Sequence, residues 1–147
     1  MENFKPQLKK VSIDSLFSDI KIHFASDESI KITFENLDNL ELETDANYLK
    51  TILRNLTANA IKALSEIENP TIVWKAYKIN SQKFLSISDN GFGASQEQFK
   101  ALYDDKEVVG IQSGLGLHLI RDLAKAINCE INVESKTEIG TKFTLKL

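Results

Sequence analysis

Three short stretches of the chain carry residues whose types and spacing could do chemistry. In "LRNLTANAIKAL", residues 53 to 64, Asn55, Asn59 and Lys62 recur at helical spacing beside a leucine-rich face. At roughly 100° per residue they share a strip about 60° wide along the border of that face. A packed helix can hold them there at a cleft, while Lys50, Arg54 and Ser65 point well away. In "LSISDNGFGAS", strand parity sets Leu85, Ile87 and Asp89 on one side, so the carboxylate faces where the apolar residues point. A half-buried carboxylate must accept hydrogen bonds, and an exocyclic amine such as that of adenine is a suitable donor. Gly91 and Gly93 would let the chain turn tightly and let a flat ring approach the backbone. In "SGLGLHLI", Gly114 and Gly116 stand where a helix begins, and free amides with the helix dipole attract phosphate there.

Each stretch also has a plain structural reading: a solvated helix face, an Asp-Asn-Gly turn, and a flexible joint between loop and helix. The second glycine pair matches neither G-x-x-x-x-G-K-[ST] nor G-x-G-x-x-G, because Leu119 occupies the last glycine position of the latter. Composition narrows the field from the other side. The chain has 147 residues, 42% of them hydrophobic, enough for one globular domain with one core. Its 18 basic and 21 acidic residues give a net charge of -3 and no basic stripe, which argues against binding nucleic acid. Cys129, the only cysteine, excludes an internal disulfide and a cysteine-built zinc site, and suits a reducing compartment. There is no apolar run of membrane-spanning length and no signal-peptide core, so a cytoplasmic location without direct membrane contact is expected.

The elements that must position these residues follow from periodicity. Residues 1–10 read as a connector entering a domain over residues 11–147, with Ser12 as N-cap of a first helix carrying Ile13, Leu16, Phe17, Ile20 and Phe24 on one face. "SIKITFEN" and "NLELET" read as two strands separated by Asn36, Asp38 and Asn39. Asp45 caps a long helix expected from about Ala46 to Ile67, with Leu49, Ile52, Leu53, Leu56, Ala60, Ala63, Leu64 and Ile67 as its core stripe and Ile61 outward. "TIVWKAYKI" and "KFLSISD" form a hairpin across Asn80-Ser81-Gln82. Ser95 and Gln98 offer a capping box for a short helix, and residues 104–113 read as a loop. "LGLHLIRDLAKAIN" reads as an amphipathic helix, and a closing hairpin ends on "TKFTLKL". The order predicts an α+β fold, with helices on one face of a mixed, mostly antiparallel sheet. Trp74 and Cys129 read as core, and His23, followed by Phe24, as structural.

In order and spacing, "NLTANAIKAL", "DNGFG", "SGLGLHLI" and "EIGTKFTLKL" resemble the N box, the two glycine boxes and the closing Gly-Thr segment of the catalytic ATP-binding domain of sensor histidine kinases. That family shares a superfamily with gyrase-type ATPases, MutL and the heat-shock chaperone of the same fold. The resemblance implies a two-layer α/β sandwich, the Bergerat ATP-binding fold, with ATP and Mg²⁺ as cofactors. It implies Asn59 as the Mg²⁺ ligand, Asn55 facing metal and phosphates, and Lys62 reaching the terminal phosphates. By the same resemblance Asp89 holds the adenine amine, with Gly91 and Gly93 at the ring. Gly114, Leu115, Gly116 and Leu117 line the phosphates, and Thr141 supports Asp89. The implied partners are ATP and ADP, the dimerisation and histidine-phosphoacceptor domain of the same kinase, and a response regulator indirectly. The chain would then be the cytoplasmic part of a sensor, which can itself be membrane-bound.

Two features depart from the family pattern. The lid between Gly93 and Gly114 is short, and "FKALYDD" lacks the Phe-x-Pro-Phe form of the F box, with Phe99 and Tyr103 as loose counterparts. The family's phosphoaccepting histidine belongs to a two-helix domain that this sequence does not contain, and His118, inside the second glycine box, reads as a helix-face residue. Two other functions stay open: an anti-sigma-factor serine kinase of the same fold, which normally carries Glu at the position of Asn55, and a nucleotide sensor without catalysis.

Overall fold

Side-chain caps decide where the first two helices begin. In the computed structural model, which describes residues 5–94, 99 and 116–147, strand β1 (Lys9–Ser12) passes into helix α1 (Ile13–His23) at Ser12. The Ser12 hydroxyl accepts the Ser15 amide at 3.1 Å, and Asp14 in the first turn with Lys21 in the last suits the helix dipole. The end of the stretch that reads as a connector is thus a strand, Lys9 and Lys10 pairing with Thr44 and Glu43 of β3 (Glu41–Thr44). Helix α2 (Ala46–Ala63) opens on Asp45, whose Oδ1 accepts the Asn47 and Tyr48 amides at 3.0 and 3.1 Å. The second carboxylate oxygen of Asp45 accepts the Gln7 amide at 2.8 Å, tying the incoming chain to the start of α2.

Helix α2 buries Leu49, Ile52, Leu53, Leu56, Thr57 and Ala60, and each fully buried Leu or Ile contributes about 1.5–3 kcal/mol over an exposed one. It stops four residues short of the Ile67 expected from periodicity. Leu64 turns its amide onto the Ile61 carbonyl, and Ile67 onto Leu64, so the chain leaves the helix in tight turns. Ala63 is exposed and Ile61 packs half-buried against the core, the reverse of the sequence expectation. Pro70 disfavours helical backbone at Asn69, which takes φ 53, and the Pro70 carbonyl must accept the Lys31 amide where the next strand begins.

A five-stranded sheet has the order β2-β4-β5-β7-β6, from β2 (Lys31–Glu35), β4 (Thr71–Ile79), β5 (Gln82–Asp89), β6 (Glu130–Lys136) and β7 (Gly140–Lys146). Only β2 and β4 run parallel, which makes the sheet mixed and mostly antiparallel as expected. The β4–β5 hairpin turns through Asn80 and Ser81, both at positive φ, the geometry that matches strand twist. The two strands expected after α1 both form but separate: β2 joins the large sheet, and β3 pairs with β1 in a sheet of two. Asn36 holds the parting point, accepting the Leu40 amide at 3.1 Å and donating to Asp14 at 2.9 Å.

Trp74, Ile87 and Phe143 form one row across β4, β5 and β7 and are all buried. Helices α1, α2 and α3 (Leu117–Ala126) cover this side, with α2 between the other two. The next row, Lys75, Ser86 and Thr144, lies on the opposite face. The expected short helix near residues 95–103 lies outside the described residues, apart from Phe99, which is buried edge-on to Phe143 at 5.7 Å between ring centres. No helix among the described residues is long and apolar enough to cross a membrane. Cys129 is buried just before β6, and burial pushes its thiol up to about 12.

Arg54 joins the helices across their outer seam, its Nε and Nη2 donating to the two oxygens of Asp19 at 2.9 and 2.7 Å. These bonds hold the Asp19 carboxyl below the usual carboxylate range. A carboxylate so depressed stabilises the fold fully above its unfolded value of 3.8, and that contribution disappears as pH falls through the lower folded value. With 42% of the Arg54 side chain exposed, water screens the pair, so Arg54→Met should cost about 1 kcal/mol or less in urea unfolding at pH 7. The difference from the parent should close as the pH is taken below 3.8. In the same folded protein, Cys129 should resist alkylation at neutral pH and react once urea exposes it.

Candidate functional site

The polar strip of α2 meets the start of α3 at Asn55. Its Nδ2 donates to the Thr51 carbonyl at 2.8 Å, which turns Oδ1 toward Gly116. A Cβ on Gly116 would come within 3.2 Å of that oxygen, and Gly116 sits at φ 64, where side chains are rarely accommodated. Gly116 has no side chain with which to cap α3, so among the described residues the amides of its first turn lack the acceptor that Ser12 and Asp45 supply to α1 and α2. Leu117, fully buried, anchors this start in the core. Gly114 and Leu115 lie outside the described residues.

The other end of the strip meets the first glycine box. Asp89 closes β5 on the inner face, in a row with Ile72 and Thr141, and its Oδ1 accepts the Gly91 amide at 2.9 Å. Burial pushes the carboxyl up from its ordinary value, against the opposing pull of the Gly91 and Thr141 amides. A Cβ on Gly91 would lie 3.0 Å from both the Ala63 carbonyl oxygen and Asp89 Oδ1, so this box abuts the last turn of α2. Gly93, at φ 79, packs directly against the Lys136 carbonyl. From Asn55 to Ala63 the helix rises about 12 Å, and half-buried Asn59 and exposed Lys62 occupy the same edge between those two junctions.

Thr141 reaches Asp89 through its backbone amide, while its hydroxyl is 2.8 Å from Ser135 Oγ. Ser135 also accepts the Ala94 amide at 2.8 Å, fastening the exit of the first glycine box to β6. Three residues that sequence reasoning did not single out complete the support. Asn90 accepts the Thr71 amide at 2.9 Å and donates to the Asn69 carbonyl at 3.0 Å, which locks the box to the start of β4. Gly140, at φ 138, has the Asp89 carbonyl where a side chain would begin. Ser135 is the third. Asn90 and Gly140 stand inside quoted motifs, but their partners lie far away in sequence.

His118 is half-buried on α3, with Nδ1 buried and without a hydrogen-bond partner among the described residues. His23 is exposed, its ring edge-on to Phe24 at 4.7 Å. Tyr103 and the lid from 100 to 115 lie outside the described residues. One groove, lined by Lys10, Glu41, Lys78 and Lys83, opens at the far end of β5 from Asp89, roughly 20 Å along the strand.

Known proteins resemble this one in sequence and in fold. The family model for histidine kinase-, DNA gyrase B- and HSP90-like ATPases matches residues 44–147. Histidine protein kinase SaeS of Staphylococcus epidermidis is 32% identical over 106 residues, covering 67% of this chain and 30% of its own length. The chain spans about a third of the length of several of the curated relatives it matches, and less of others. The nucleotide-free catalytic domain of histidine kinase ThkA superposes with a TM-score of 0.80 at 21% identity, covering 96% of this chain and 95% of that one. ThkA in complex with response regulator protein TrrA gives 0.77 at 20% identity, over 97% of this chain and 42% of that one. The family match runs over residues 44–147, well over half of the sequence, and the chain belongs to the histidine kinase-, DNA gyrase B- and HSP90-like ATPases.

Proposed function

We propose that the chain is the catalytic domain of a sensor histidine kinase. It binds MgATP on the cytoplasmic side and donates the γ-phosphoryl to a histidine on the dimerisation and phosphoacceptor domain of the same kinase, for passage to a response regulator. The observation that carries this reading is the double junction of α2, Asn55 against Gly116 near its middle and Ala63 against Gly91, beside Asp89, at its last turn.

ATP supplies the phosphoryl donor; the protein supplies position and charge. Asp89 accepts the exocyclic amine of adenine from a site already short of water. GTP sets a carbonyl there and loses roughly 1–3 kcal/mol or more through the mismatch. The residues fit Mg²⁺, which takes hard oxygen donors, prefers few protein ligands and keeps part of its water. Asn59 provides an amide oxygen for it, Asn55 faces the metal and phosphates, and Lys62 neutralises the terminal phosphates. The open amides at Gly116 and Leu117, with Gly114 and Leu115 before them, line the phosphate chain.

Asn55 favours histidine over other acceptors. A serine hydroxyl or a water must lose its proton to a base as it attacks, and an amide side chain cannot take it. A neutral imidazole nitrogen attacks with a lone pair and needs no such base. The serine-kinase reading and a stand-alone ATPase both lack their base here.

Asp89→Asn should weaken MgADP binding at least tenfold, about 1.4 kcal/mol, in a calorimetric titration; equal binding by both proteins removes the adenine assignment. The same substitution should leave the fold at least as stable at pH 7. A carboxyl raised by burial carries a penalty that is complete above its folded pKa and absent below the unfolded 3.8, so the variant's advantage should fade as pH falls toward that value. Incubation with γ-labelled ATP and an added dimerisation domain should yield acid-labile phosphohistidine. Label on serine points to the serine kinase, and binding without transfer to a nucleotide sensor.

A further inference from the structure

Thr57 lies between Asn55 and Asn59 in sequence but on the other flank of α2, roughly 160° round the helix from each. It is fully buried, as is Trp74 on β4. The Thr57 hydroxyl donates to the Leu53 carbonyl at 2.8 Å and accepts the Trp74 indole N–H at 3.0 Å. Valine would fill the same space and suit the apolar surroundings, so the hydroxyl matters for its direction. The remaining contacts of this face are leucines and isoleucines, whose attraction is non-directional and tolerates a small roll of the helix. A hydrogen bond from a rigid indole, itself packed at 6.1 Å from Phe17, tolerates much less.

We propose that the Thr57–Trp74 hydrogen bond sets the rotation of α2 and is thereby a positioning device for Asn55, Asn59 and Lys62. The proposal rests on the nucleotide reading above and adds to it what fixes the polar edge. A side-chain atom about 5–6 Å from the helix axis moves roughly 1 Å for a 10° roll. Displacements of that size at a reacting centre cost up to about a hundredfold. Asp89 stands on β5 and does not turn with α2, so loss of the pin separates metal and phosphate contacts from the adenine contact.

That separation is the test. MgADP and adenosine are titrated into the parent chain, Thr57→Val, Thr57→Ser and Trp74→Phe, each confirmed folded by circular dichroism at the temperature used. Thr57→Val and Trp74→Phe should each lose at least about fivefold in MgADP affinity, with adenosine affinity kept within about twofold, and the double variant should lose no more than either. Thr57→Ser, which keeps the hydroxyl, should bind both ligands like the parent. Should Thr57→Val fail to fold, Trp74→Phe against Thr57→Ser gives the same comparison. MgADP affinity unchanged in the pin-less variants, or lost equally with adenosine, overturns the positioning role. A parent chain that binds neither ligand removes the nucleotide reading and this inference with it.

Discussion

The burial of one face of α2 against the sheet is the constraint on which the rest depends. Leu49, Ile52, Leu53 and Leu56 are essentially removed from water, and α1 and α3 pack on either side of this helix. Burial of that face decides which residues of the helix lie along its border. Asn55 and Asn59 need that border, because an asparagine on the fully solvated side would keep its rotamer freedom and reach nothing.

Two points along α2 are then put to use. Near its middle Asn55 meets the left-handed Gly116, and at its last turn Ala63 meets Gly91. The glycines serve less as flexible joints than as places where a neighbouring oxygen leaves little room for a side chain. The start of α3 and the half-buried Asp89 share a physical character: both are polar groups that the described residues satisfy only in part. Groups of that kind weaken a fold, and they are what a ligand of complementary polarity recognises.

Around them the support is fully paired. Asn90, Ser135 and Thr141 are each hydrogen-bonded to segments distant in sequence, so the glycine box is held from β4, β6 and β7 together. Phe99, the loose counterpart of the family's F box, also has a fixed seat against Phe143.

What could be read from the chain alone was local. Ser12 and Asp45 cap helices because the acceptor and the amides it satisfies lie within three residues. The leucine period of α2, the alternation in β4 and β5, and the order of the polar and glycine motifs are properties of contiguous sequence. Tertiary structure decided what contiguous sequence cannot contain. It parted β2 from β3, because their best partners, β4 and β1, lie elsewhere in the chain. It ended α2 at Ala63, where the Leu64 amide turns onto the Ile61 carbonyl, and it set the Pro70 carbonyl against the Lys31 amide. Thr57 would pass for an indifferent helix residue until Trp74, seventeen positions on, comes to rest beside its hydroxyl. Propensity and period act over a few residues, whereas hydrogen-bond direction and steric exclusion depend on which distant atoms arrive.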